Sequence, residues 1–341
     1  MVDRANPGKA ALRRQGGRVW LEGVQGWFCG QKQSSVHAAH EAVMRAMGEE
    51  VSYDDLLGVS GLAFRMQVHR QGLCPSSPHA FCGYHCVERS LQALPWEARA
   101  FEVKPEDTEG VREARAAVVE SIERGAPAQY GREEDGVIIG YAKGGEEWLC
   151  LHPLRDRGEK PFVETEWPWG ILVFTQRKTQ RLAERDLAMA ALAQAVEMAR
   201  LRECAGYMLG FAAWEHYARV VLGLGQTGDE ARRKAMAGNA WIYECLVQYR
   251  ACAARWLTGI AGLFDDAQAG HINAAAAIYD EMASRVLTGP GRGSMSIAPY
   301  AWSLKPGQEW TDEMRVEQVR RLEQGLGLER RAVAEIEKVV Q

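Results

Sequence analysis

Histidine, cysteine and carboxylate side chains are the chain's means of doing chemistry, and their spacing narrows what that chemistry could be. Cys82 and Cys86 stand four apart, with His79 and His85 beside them. A zinc site would need a second, similarly spaced pair of ligands, and none follows, so no metal is expected. His37 and His40 lie one helical turn apart with Glu41 next to them. His40 shares the apolar face of Val36 and Val43, which fits a satisfied core histidine better than a ligand. His37, near the start of the same helix, would be held neutral by the helix dipole and could act as a base where a cleft reaches it. The Gly-Pro-Gly-Arg-Gly run at 289–293 follows no strand and precedes no Gly-Lys-Ser/Thr, so it reads as an inter-helix loop, not a phosphate cradle. No cofactor is implied.

The elements that hold these groups follow from the spacing of apolar residues. Val36, Ala39, Val43 and Met47 recur at three and four residues up to Gly48, which predicts a buried helix with a glycine stop and Ser34 or Ser35 at its N-cap. Strands are expected at 18–24, 99–103, 127–130, 136–141, 148–152 and 170–175. Ala-Lys-Gly-Gly-Glu marks a hairpin between the fourth and fifth of these. Between 103 and 127, Val111, Ala114, Val118 and Ile122 form one face of a helix that Thr108 would cap and Gly125 would end. The segment 52–96, dense in Gly, Pro, His and Cys, reads as loops with short helices. After Gln176 the pattern turns helical at roughly 179–203, 206–222, 230–260, 271–288 and 311–340, most simply an antiparallel bundle in which Trp214, Trp241 and Trp256 are buried and Thr311 caps the last helix.

At 341 residues the chain is long enough for two cores. The expected division is an α+β domain at 1–176 and an all-helical bundle domain at 177–341. Charge is balanced in each part: 20 Lys+Arg against 25 Asp+Glu in the first, 21 against 20 in the second. Without a basic stripe, neither nucleic acid nor an anionic membrane surface is an expected partner. The apolar runs are short and no hydrophobic leader opens the sequence, which together with eight cysteines reading as reduced thiols suggests a cytoplasmic protein.

The stretch Val51-Ser-Tyr-Asp-Asp-Leu-Leu-Gly-Val-Ser-Gly-Leu-Ala-Phe-Arg65 closely resembles the N-terminal domain family of butirosin biosynthesis protein H. Gly136-Val-Ile-Ile-Gly-Tyr141 is similar to a strand of the same family. The Gly206-to-Glu215 and Arg250-to-Leu257 helices look like the helical domain that follows it, so the resemblance covers most of the chain. It implies a papain-like cysteine-peptidase fold, a central helix packed on an antiparallel sheet. The nucleophilic cysteine would stand at the start of that helix, with a histidine and an acid on the sheet. The family's namesake moves an aminoacyl group from a carrier-protein thioester to an amine, which suits a thiolate at a helix start.

Carried over position by position, the resemblance puts substituted residues at the triad. Thirteen residues before Gly48, where the family has its cysteine, stands Ser35; six before Gly140, where it has its histidine, stands Glu134, beside Asp135; the acid's place falls at His152-Pro153. The plain alternative for Ser35 is a helix cap. Cys29, in the Gly26–Gly30 loop, could reach the same helix start with Gln31 or Gln33 as an oxyanion-hole amide, or could itself occupy the oxyanion-hole position or be a half-buried thiol. Trp27, Phe28, Phe64, Phe81, His69, His79 and His85 could wall a cleft, though each also fits a core. The expectation is therefore a papain-like protein with a degenerate triad, either transferring or hydrolysing an acyl group or binding without turnover. The ligand would be a small molecule or peptide, an acyl-carrier protein is the partner the resemblance implies, and a homodimer is left open.

Overall fold

The computed structural model describes residues 9–289, 297–298 and 309–341. Positions 290–293 of the Gly-Pro-Gly-Arg-Gly loop, and residues 1–8, lie outside them. The chain is mixed α+β, with an antiparallel sheet, several helices and a C-terminal helical region. It divides into two compact units, Met1–Leu56 with Leu91–Arg181, and Leu57–Ser90 with Leu182–Gln341. A single cut at 176 is therefore not how the chain divides: residues 57–90 belong with the C-terminal helices.

In the first unit the strands are β1 (Ala11–Gln15), β2 (Arg18–Glu22), β3 (Trp96–Phe101), β4 (Ala128–Gly131), β5 (Asp135–Ala142), β6 (Glu147–Leu151), β7 (Phe162–Glu164) and β8 (Gly170–Arg177). All pair antiparallel in the order β1-β2-β5-β4-β8-β3, with β6 on β5 and β7 on β6. Strand β5 is the most connected. Arg18–Trp20 pairs with Gly140–Ala142, Ala128–Gly131 with Asp135–Ile138, and β6 runs along both halves across a bulge at Ile138/Gly140. A Cβ at Gly140 would lie 2.4 Å from Val19 O, so only glycine fits where the strands close up. The short strand β7 and the outer strand β1 were not foreseen, being three residues long and mostly exposed.

Helix α1 (Ser35–Ala46) is buried on every side except at Arg45, although His37, His40 and Glu41 stand among its small and apolar residues. Gly48 (φ +86°) ends it, with Glu49 N–H donating to Met44 O and Gly48 N–H to Arg45 O. Helix α2 (Thr108–Glu123) starts one residue off the expectation: Asp107 is its N-cap, accepting from Gly110 N–H, and Thr108 is the first helical residue. A carboxylate fills the cap at least as well as a hydroxyl. Leu21, Val118, Ile122, Tyr130, Ile138, Cys150 and Val173 form the core.

The second unit holds α3 (Glu184–Arg200), α4 (Gly210–Gly223), α5 (Asp229–Ile260), α6 (Asp266–Glu281) continued by a π-helical turn at Met282–Leu287, and α7 (Asp312–Val340). Thr311 accepts from Met314 N–H as the expected cap of α7. Tyr207–Leu209, read as helix from sequence, is a strand. Ala205 (φ +46°) and Gly206 (φ +86°) turn it back on Glu203–Cys204, and it also pairs with Gln67–His69. That pairing is one of the contacts, with Gly58 on Trp256 and Phe64 on Trp256 and Tyr279, that join 57–90 to this unit. Gly58 lies against the Trp256 ring, where a Cβ would come within 2.1 Å of Cγ. Trp214 and Trp256 are buried, while Trp241 is half-buried, short of the expectation.

Arg250 is wholly buried in this unit. Its guanidinium donates to both Glu329 oxygens (2.8 and 2.9 Å) and to Ala63 O (2.8 Å), flanked by the Trp214 and Tyr279 rings. Removing one partner strands the other charge in a dry interior. Glu329→Ala should therefore lower the urea midpoint of unfolding by an amount corresponding to about 3–5 kcal/mol; an unchanged midpoint would show that the charge is not sequestered.

Candidate functional site

The triad positions implied by resemblance meet at the start of α1. Ser34 is the N-cap residue, but its hydroxyl does not cap; it is hydrogen-bonded to His37 Nδ1 at 2.7 Å, and its N–H donates to the Tyr53 hydroxyl at 2.8 Å. Ser35, the next residue, points to the sheet. Its hydroxyl donates to Glu134 Oε2 at 2.5 Å and accepts from the Asp135 N–H at 2.9 Å. The two residues it joins are the first residue of β5 and the one before it, so the contact is a direct tie between helix and strand. Ser35 is 1 % exposed.

Burial raises both carboxyls. Glu134 is pushed up to about 7 by desolvation, with Asp135 and Glu133 adding to the rise and the Ser35 hydrogen bond opposing it. Asp135 is likewise pushed up to about 7 by burial, opposed by the amide of Gln129, whose Nε2 donates to Oδ1 at 2.8 Å. Gln129 was not singled out from sequence. The available signal was one polar residue inside the buried run Ala-Gln-Tyr.

His152 does not orient a base toward Ser35. Its Nε2 stands 3.1 Å from the backbone carbonyl of Glu134, and its Nδ1 accepts from Leu154 N–H at 3.3 Å. With Nδ1 accepting, the proton belongs on Nε2 and both ring nitrogens are used on backbone. Burial lowers its pKa, with Arg155 nearby, so the ring is a neutral strut under the 131–135 turn. The carboxylate, not the imidazole, is next to the hydroxyl.

Cys29 is buried in the loop before α1 and is not among the hydrogen-bond partners of Ser35. His37 is fully buried. His40 is buried too, but the expectation of a satisfied core histidine needs correcting: neither ring nitrogen has a hydrogen-bond partner among the described residues, and its neighbours are the His37 and Phe174 rings. Desolvation lowers it to about 3, so it stays neutral. Lys32, ahead of the helix, pairs with the buried Glu41, which also faces Arg45. Phe64, His69, His79, Phe81 and His85 belong to the other unit, where Phe64 packs on Trp256 and Tyr279. Among the described residues no three His, Cys, Asp or Glu side chains are grouped to hold a metal, and no helix is long and apolar enough to cross a membrane.

What this arrangement can do chemically is limited by the hydroxyl. A carboxylate titrating near neutrality at 2.5 Å could take the Ser35 proton. However, Oγ already accepts the Asp135 amide and is out of contact with solvent. The geometry is that of a satisfied buried tie. No protein-family model matches the chain, and no curated protein matches its sequence.

The raised carboxyls make stability fall with pH. A group whose folded pKa lies above its unfolded value binds its proton more tightly in the native state, so its contribution is complete below about 4.5 and is lost as pH rises through about 7. His40, lowered by burial, works in the opposite sense, its contribution being lost below about 6.5. Comparing variants isolates the carboxyl. Glu134→Gln should gain on the parent by on the order of 2 kcal/mol between pH 5 and pH 8 in denaturant melts, and a constant difference across that range would contradict the assignment.

Proposed function

We propose that the chain is a papain-like-fold protein, similar to the butirosin biosynthesis protein H family, whose triad positions now hold the fold, and that it acts by binding a small molecule or peptide without turnover. The observation that carries this reading is the state of Ser35: both of its side-chain hydrogen bonds go to Glu134 and Asp135, it is buried, and the imidazole of His152 is used on backbone. A nucleophile needs access to its substrate and a base held by an orienting partner; this hydroxyl is buried, accepts the Asp135 N–H, and is not met by the His152 imidazole. Eight free thiols fit a cytoplasmic setting. The C-terminal helices, read as a bundle, would offer the surface for assembly, including a homodimer.

Acyl transfer remains the second reading, favoured by Glu134 titrating near neutrality beside the hydroxyl. In that reading Ser35 Oγ would attack the carbonyl carbon of a carrier-protein thioester, its proton would pass to Glu134, and the carrier thiol would leave; the acyl group would then go to an amine or to water.

The two readings separate by covalent labelling of the folded chain with a fluorophosphonate and, in parallel, iodoacetamide, followed by peptide mapping. The expected result is no adduct on Ser35 or Cys29, and equal hydrolysis of an activated ester by the parent and Ser35→Ala. An adduct on Ser35, or on Cys29, that is lost with the corresponding alanine variant overturns the non-catalytic reading.

A further inference from the structure

The sheet of the first unit has an open edge. Strand β3 ends the strand order and pairs only with β8, and among the described residues no strand lies along its other side. Glu97, Ala98, Arg99 and Ala100 are four consecutive exposed residues on it. The irregularity in its pairing belongs to the neighbour: two steps from Trp96 to Ala98 oppose three from Arg177 to Phe174, so the extra residue is in β8 and β3 itself is regular. No proline and no run of like charge blunts these positions, which leaves the outward N–H and C=O groups as a template for a further strand.

The charges on β3 are complementary to themselves. Two copies paired antiparallel about a two-fold axis through Ala98 set Glu97 opposite the partner's Arg99, and Arg99 opposite the partner's Glu97. Trp96 then faces the partner's Ala100, a large side chain beside a small one. Opposite charges across a strand pair attract, and like charges repel by similar amounts. Arg99 is already held in place: its guanidinium lies over the Phe101 ring at 4.5 Å, and Nη2 donates to Glu113 Oε1 at 2.5 Å, which leaves its other N–H groups for a second carboxylate. Glu97 is used only through its carbonyl, which accepts from Thr175 Oγ1 at 3.4 Å; its carboxylate has no hydrogen bond or ion pair among the described residues. The other edges lack this match, since β1 carries Arg13 and Arg14 with no acid and β7 is three residues long.

We propose that β3 is a self-association edge, on which a second copy of this chain lays its own β3 antiparallel and continues the sheet across a two-fold axis at Ala98. The contact lies on the first unit, and it holds whether or not the chain turns over a ligand. Its two charge pairs are exposed, so the association weakens as salt is raised.

The test is sedimentation velocity of the full chain over a wide concentration range at low ionic strength. The expected result is a reversible dimer of the parent chain. Glu97→Arg and Arg99→Glu, each alone, should weaken it about tenfold or more, because both attractive pairs become repulsive. An equimolar mixture of the two variants should dimerise again, since each supplies the charge the other lacks; a variant that had merely misfolded would not be rescued by mixing. Register is read by oxidation. The thiols introduced by Ala98→Cys would stand on Cα atoms about 5 Å apart across the axis, within disulfide reach. Those of Ala100→Cys would be about 13 Å apart, four residues along the strands. A covalent dimer mapped to position 98 from the first variant, and none through position 100 from the second, is expected. A parent chain that stays monomeric throughout, as an edge reserved for a foreign peptide would leave it, overturns the proposal. So does a dimer that both charge reversals leave unchanged, which would place the interface elsewhere.

Discussion

A hydroxyl that donates to one carboxyl and accepts the next residue's amide joins the buried helix α1 to the strand on which the sheet is organised. Strand β5 hydrogen-bonds to β2, β4 and β6, and its first N–H ends on Ser35. The helix brings several polar groups into the interior with it: Ser35, His37, His40 and Glu41 are all buried. Such groups are costly to bury unless they find partners or give up their charge. Ser35 finds Glu134 and Asp135, and Glu41 finds Lys32 and Arg45, while His40 is accommodated by staying neutral. The carboxyls bear the consequence of this arrangement, since burial holds both near neutrality.

The same group types serve opposite ends depending on what surrounds them. A carboxyl raised toward neutral pH beside a hydroxyl is what a general base needs. It is also what results when a polar tie is buried for structural reasons. Here the deciding features are the amide on Oγ, the lack of solvent contact, and an imidazole spent on two backbone groups. In the second unit the tie is an ion pair: Arg250 and Glu329 satisfy each other in the interior, and Arg250 also takes the Ala63 carbonyl.

Long, strongly periodic elements were legible in the sequence. Helix α1 with its Gly48 stop, the strands around Gly136–Tyr141 and the five C-terminal helices follow from spacing alone. Elements made by tertiary pairing were not. Gln67–His69 and Tyr207–Leu209 are three residues each, too short to carry a period, and their pairing is among the contacts that place residues 57–90 in the C-terminal unit. Ser35 and Glu134 could be named as corresponding positions, but a count along the chain carries no orientation. That His152 turns to the Glu134 carbonyl, and that Gln129 supports Asp135, depends on where side chains point across a sheet.

The claim that Ser35 and Glu134 form an energetic tie is tested most directly by a double-mutant cycle of Ser35→Ala, Glu134→Ala and the two combined, read by urea unfolding at pH 8, where Glu134 is ionised and the Ser35 hydroxyl donates to a charged acceptor. The account predicts a coupling energy of about 1–2 kcal/mol. Additive effects of the two substitutions would contradict it.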